Sequence, residues 1–133
     1  VKAVFTAAGG PGVGVITEAK QLAEQGQEGW VIGVDSDQYA DGIYDEANKK
    51  LVILTSARKK VEQAAYDMIK AVQDGDFKGG ETLTFDAKND GIGLPEENPN
   101  LSQETTDKVK EVFEKIKNGD IVVKDTADGL IEP

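Results

Sequence analysis

Residues Ala3–Lys20 read AVFTAAGGPGVGVITEAK, and the two halves of this stretch obey different periodicities. Ala3 to Ala8 is a short apolar run that stops at glycines, the pattern of a buried strand. Beyond Gly9-Gly10-Pro11-Gly12-Val13-Gly14, apolar side chains recur at helical spacing. Val15, Ala19, Leu22 and Ala23 share one face, and Gly26 is placed to stop the helix. A strand, a glycine turn and a helix in that order open a parallel α/β sheet.

The chain continues in the same manner. Trp30–Val34 (WVIGV) is a second buried strand running into Asp35-Ser36-Asp37, and Leu51–Leu54 (LVIL) is a third, ending at a Thr55-Ser56 turn. The polar segment Asp41–Lys50 between them has room for a short helix. Val61, Ala64, Ala65, Met68 and Val72 mark a second amphipathic helix, with Thr55 or Ser56 as its cap, Lys59 at its start and Gly75 at its close. Glu81–Phe85 (ETLTF) alternates like a half-exposed strand. Residues 87–100 form a loop rich in Asn, Gly and Pro, with a short strand at Gly91–Leu94. Val109, Val112, Phe113 and Ile116 predict a third helix up to Gly119, followed by a last strand at Ile121–Val123 and a loose polar tail over 124–133. The fold class is therefore α/β, a Rossmann-like parallel sheet. Ligands bind such sheets at the carboxyl ends of the strands. The glycine turn, the Asp35 turn and the Thr55-Ser56 turn are all expected there.

Composition narrows the chemistry. The 133 residues fit one domain, with 38% hydrophobic and 30% charged side chains. No apolar run approaches the roughly 20 residues that span a bilayer. Acids outnumber bases 25 to 15, for a net charge of -10, which argues against a nucleic-acid partner. The absence of Cys removes disulfides, thiolate nucleophiles and sulfur-ligated zinc. The absence of His removes the commonest general base and the commonest metal ligand. No catalytic residue, metal or cofactor is expected.

Binding candidates remain. The glycines let a ligand approach the backbone, beside a helix N-terminus offering free amides; the bland reading is a tight turn. A dinucleotide fingerprint would need glycine where Val15 stands. The Asp35 carboxylate can accept two hydrogen bonds from a vicinal diol such as ribose, or can be a solvated turn acid. A calcium loop over Asp35, Asp37, Asp41 and Gly42 fails, because Tyr39 takes a ligand position and no bidentate Glu follows. Arg58, Lys59 and Lys60 in a first helical turn would oppose the helix dipole by roughly 0.3–1 kcal/mol, so they require a reason for being there.

AVFTAAGGPGVGVITEAK, then VIGVDSDQ, then LVILTSARKKVEQAAYDMIKAVQDGDFKGG, then GIGL together resemble the basic membrane protein (PnrA-like) family, the substrate-binding lipoproteins of ABC transporters that include purine nucleoside receptors. The likeness runs from about Val4 to Val123. It implies part of a type I periplasmic-binding-protein fold, in which two α/β lobes close on a ligand. Residues 1–123 would be the C-terminal portion, with about 60–74 packing against the other lobe. The missing N-terminal portion or another copy would complete the chain. The resemblance further implies an extracytoplasmic location, an anchor outside this chain, a purine nucleoside ligand and an ABC permease as partner. It places Asp35 on the ribose hydroxyls, Gly9 and Gly10 against the nucleoside and Lys59 on the sugar side. Phe5 is the candidate to stack on the base, and Asp90 before GIGL is a further possibility. A second resemblance is to phosphatases of the haloacid dehalogenase type, with VIGVDSD as nucleophile motif and Asp35 as nucleophile. It breaks at Tyr39, where Thr or Val is required, and at Gly119-Asp120…Asp125, which follows a helix rather than a strand.

Overall fold

A computed structural model describes residues 2–123. The tail expected over 124–133 lies outside the described residues. The main sheet has four strands in the order β1-β2-β5-β6. β1 (Ala3–Phe5) is followed by α1 (Gly12–Glu24) and then β2 (Trp30–Asp35), which lies parallel beside β1 with Ala3 opposite Trp30 and Phe5 opposite Ile32. This is the βαβ unit expected of the first two apolar runs, although β1 ends at Phe5 rather than continuing to Ala8.

The connection from β2 to the third strand differs from expectation. It carries only a single 3-10 turn, Ala40–Gly42, and then an antiparallel hairpin of β3 (Ile43–Asp45) and β4 (Lys50–Leu51). The apolar run LVIL is thereby divided. Leu51 pairs with Ile43, the Val52 N–H donates to the Gly42 carbonyl, and Ile53 begins β5 (Ile53–Lys59), parallel to β2. Gly42 is required at this crossing, since a Cβ there would lie 3.0 Å from the Ile53 nitrogen.

β5 also runs further than its apolar residues suggest. Thr55 and Ser56 are not a turn but pair with Ile32 and Gly33, and Arg58 and Lys59 pair with the antiparallel β6 (Ile92–Gly93). Hydrogen bonding on both flanks holds the polar end of β5 extended, overriding its charge. Neither Thr55 nor Ser56 caps α2 (Val61–Asp74); its N-cap residue is Lys60, without a side-chain cap, whose N–H donates to the Gly91 carbonyl. The cations expected in the first helical turn are therefore on the strand or at the boundary. Arg58 is paired with Glu62 and Lys59 with Asp35, each at 2.8 Å.

α3 spans Gln103–Asn118 and is capped by Ser102, whose hydroxyl accepts from the Thr105 N–H. α2 and α3 end at left-handed glycines, Gly75 and Gly119, as the sequence placed them. ETLTF is not a strand. It leads into a turn in which Asn89 bonds the Asp86 N–H and the Thr84 carbonyl, and alternation alone cannot form a strand without a neighbour. Ile121–Val123 is likewise not a strand; all three residues are exposed.

The core is small. Ile16 of α1, Val31 of β2, Val52 and Ile53 are buried, with Ala19, Ala23, Tyr44 and Leu51 packed against them. Burial on this scale is the main stabilising term for such a chain. α2 contributes no buried residue, and Val61, Ile69 and Val72, which share one stripe of it, are each at least 60% exposed. Among the described residues no helix is long and apolar enough to cross a membrane.

Candidate functional site

Parallel strands β1, β2 and β5 end side by side, so the segments that leave them meet at one edge of the sheet. The glycine turn follows β1, Asp35 ends β2 and Lys59 ends β5. Between them is an open cleft of about 490 Å3, lined by Phe5, Gly9, Asp35, Lys59, Leu94 and Phe113 among others. This volume falls within the range of small-molecule sites.

Asp35 is unusual in its backbone. Its φ is 70°, and the Ser36 N–H donates across it to the Val34 carbonyl at 2.9 Å. A three-residue turn of this sign is rare and strained, and sparsely populated backbone states cost about 1–3 kcal/mol. The strand thus ends in a sharp corner that carries the carboxylate. Asp35 Oδ1 meets Lys59 Nζ at 2.8 Å, with both side chains about half exposed or more. An exposed pair of this kind contributes at most about 1 kcal/mol to stability, so its consequence is geometric: it sets one acceptor and one donor group side by side at the mouth of the cleft.

The glycine turn is arranged differently from the amide cradle expected of it. The Gly12, Val13 and Gly14 N–H groups donate to the Gly9, Gly10 and Pro11 carbonyls, so the first helical amides are already engaged. What the turn offers instead is space. Gly9 has φ 57°, and a Cβ at Gly9 or Gly10 would meet nothing within 4 Å. Gly9 lines the cleft; Gly10 lies beside it without lining it. Phe5 is 57% exposed and lines the cleft.

Asp90 is not brought to Asp35. It lines an adjoining groove, and its carboxylate takes two hydrogen bonds from Lys117 Nζ, at 2.9 and 3.1 Å. The hydrogen bond from Lys117 holds the Asp90 carboxyl below its ordinary value, and the same bond raises the Lys117 ammonium above its own. The cleft also includes residues to which the sequence assigns no site role: Arg58, expected in a first helical turn, Phe113, expected on the apolar stripe of a helix, and Leu94, expected in a short strand. Arg58 Nε is buried with no hydrogen-bond partner, a donor left open beside the site. Among the described residues no group of three or more Asp or Glu side chains gathers as a metal site.

A largely parallel α/β sheet with a polar pair and an exposed aromatic at its carboxyl edge is a framework on which small molecules bind. The model of the PnrA-like ABC transporter substrate-binding proteins matches residues 1–127, and the chain belongs to this family. It is 39% identical over 127 residues to the CD4+ T-cell-stimulating antigen of Listeria monocytogenes serovar 1/2a, covering 92% of this chain and 36% of that protein. It is 37% identical over 125 residues to the ABC transporter nucleoside-binding protein BmpA of Lactococcus lactis subsp. cremoris, covering 90% and 35%. A solute-binding protein of an ABC transporter system from Aeropyrum pernix K1 shares the fold, with a TM-score of 0.72 at 24% identity over 96% of this chain and 41% of that one. The chain thus spans little more than a third of the length of the curated relatives it matches. The family's members are extracytoplasmic, membrane-associated lipoproteins, which sets this chain outside the cytoplasm.

Proposed function

We propose that the chain is the ligand-holding portion of a receptor for purine nucleosides. The observation that carries this reading is that Asp35, Lys59, Gly9 and Phe5, from three different strand ends, line one cleft. Asp35 would accept hydrogen bonds from the 2′- and 3′-hydroxyls of the ribose, and Lys59, already beside it, would donate to the sugar side. The open glycine turn at Gly9 and Gly10 would let the sugar approach the backbone. Phe5, apolar and exposed, would take the face of the base. No bond is made or broken in such a site; binding and release are the whole of its chemistry. The phosphatase alternative is set aside because the family is one of solute receptors.

On this reading the rest of the protein supplies the opposite lobe. The uncovered stripe of α2 would pack against it, and closure of the lobes would present the loaded receptor to an ABC permease. The first test is calorimetric titration of the full-length protein with guanosine. Loss of two hydrogen bonds to a charged acceptor predicts that Asp35→Ala weakens binding at least about tenfold. The wild type should also discriminate against 2′,3′-dideoxyguanosine, and Asp35→Ala should not. Equal affinity of the wild type for both ligands would sink the assignment of Asp35 to the ribose.

A further inference from the structure

Asp35 is held in a strained corner, and the side chain that holds it is not itself part of the cleft. We propose that Gln38, seated on Ser56, is the positioning residue for Asp35. This rests on the reading of Asp35 as a ligand-binding group.

Gln38 reaches back across the corner. Its Oε1 accepts the Val34 N–H at 3.0 Å, while the Val34 carbonyl accepts the Ser36 N–H at 2.9 Å, so both peptide groups of Val34 are fixed on the N-terminal side of Asp35. The Gln38 backbone N–H donates to Ser56 Oγ at 3.0 Å. Ser56 is fully buried in the middle of β5, opposite Gly33 of β2. A buried hydroxyl in a central strand needs a partner, and here the partner is the far end of the Asp35 turn. Gly33 completes the arrangement: a Cβ at that position would lie 2.6 Å from Gln38 Oε1 and 2.8 Å from Ser56 Oγ. Asp37 Oδ1 accepts the Tyr39 N–H at 3.1 Å and keeps the backbone on either side of Gln38 in register.

The consequence is that Asp35 and Lys59 are referred to one strand. Ser56 stands three residues before Lys59 on β5, and through Gln38 it fixes the turn from which Asp35 projects. The short separation of the carboxylate and the ammonium is thus imposed from beneath by neutral side chains. The pair's own exposed attraction is too weak for that task.

The test uses the full-length protein and guanosine, with Gln38→Met, which keeps the length of the side chain without its acceptor, and Ser56→Ala. Each is made in the wild type and in Asp35→Ala. In the wild-type background each variant is expected to weaken guanosine binding about tenfold, the loss expected when a ligand-contacting group is misplaced. In Asp35→Ala neither should weaken it further by more than about twofold, because the effect passes through Asp35. Without ligand, the amide and Cβ resonances of Asp35, which report a positive φ, should move in both variants. Equal losses in both backgrounds would make Gln38 a general structural residue, and no loss in the wild type would make it irrelevant; either overturns the proposal. If guanosine does not bind, or binds Asp35→Ala as well as the wild type, the ribose reading fails by itself. The resonances then decide: unmoved signals overturn the positioning role, and moved signals uphold it.

Discussion

Ile53 lies where the hairpin ends and the main sheet begins, 1% exposed, against Ile16, Val31 and Val52. With so few buried side chains, little can close around a gap. Ile53→Ala should cost about 2–5 kcal/mol, read as a shift in the urea or thermal midpoint of the full-length protein. Residues that act through their own strand were legible in the sequence. Asp35 stands out as a carboxylate at the end of an apolar run, and Ile53 as the middle of another. Residues that act across the sheet were not. Gln38 and Ser56 are separated by 18 positions and meet only because β2 and β5 pair. Phe113 shares its helical stripe with Val109 and Val112, and nothing in that spacing says the stripe faces a cleft rather than a core.

At the level of elements, periodicity and punctuation served well where a segment answers to itself. β2 runs over its apolar residues and all three helices stop at or next to their glycines, but β1 ends at Phe5, short of Gly9, and α1 turns Ile16 rather than Val15 into the core. They served poorly where a neighbour decides. β5 extends over Ala57, Arg58 and Lys59 because β2 and β6 flank it, and ETLTF fails to become a strand for want of such flanks. β6 and α3 are further tied by Asp90 and Lys117, which makes their docking sensitive to pH. The Asp90 carboxyl is depressed by its hydrogen bond from Lys117, so its contribution is present above the ordinary carboxylate value and lost as pH falls through the depressed one. The Lys117 ammonium is raised, so its contribution is present below the ordinary lysine value and lost as pH rises through the raised one. Amide exchange at Gly91 and Ile92 should therefore be slower in the wild type than in Asp90→Asn at neutral pH. The difference should begin to shrink below about pH 4, where free aspartate takes up a proton, and vanish only once the pH has passed the depressed Asp90 value.

At the scale of the whole molecule, α2 is left uncovered: none of its residues is buried, and Val61, Tyr66, Ile69 and Val72 are each at least 60% exposed. If the other lobe covers that helix, Ile69→Asp in the full-length protein should destabilise by far more than the roughly 0.5 kcal/mol typical of a surface change. A midpoint of unfolding unchanged from wild type would show that the stripe stays in solvent. The order β1-β2-β5-β6 has a second consequence at this scale. β1 is hydrogen-bonded to β2 on one side and has no strand on its other side among the described residues, and Val4 and Phe5 on it are 43% and 57% exposed. A row of unanswered amides and carbonyls flanked by apolar side chains is a template for self-association. On its own, this chain would recruit its own copies edge to edge as concentration rises, and turbidity would report on it before any ligand did.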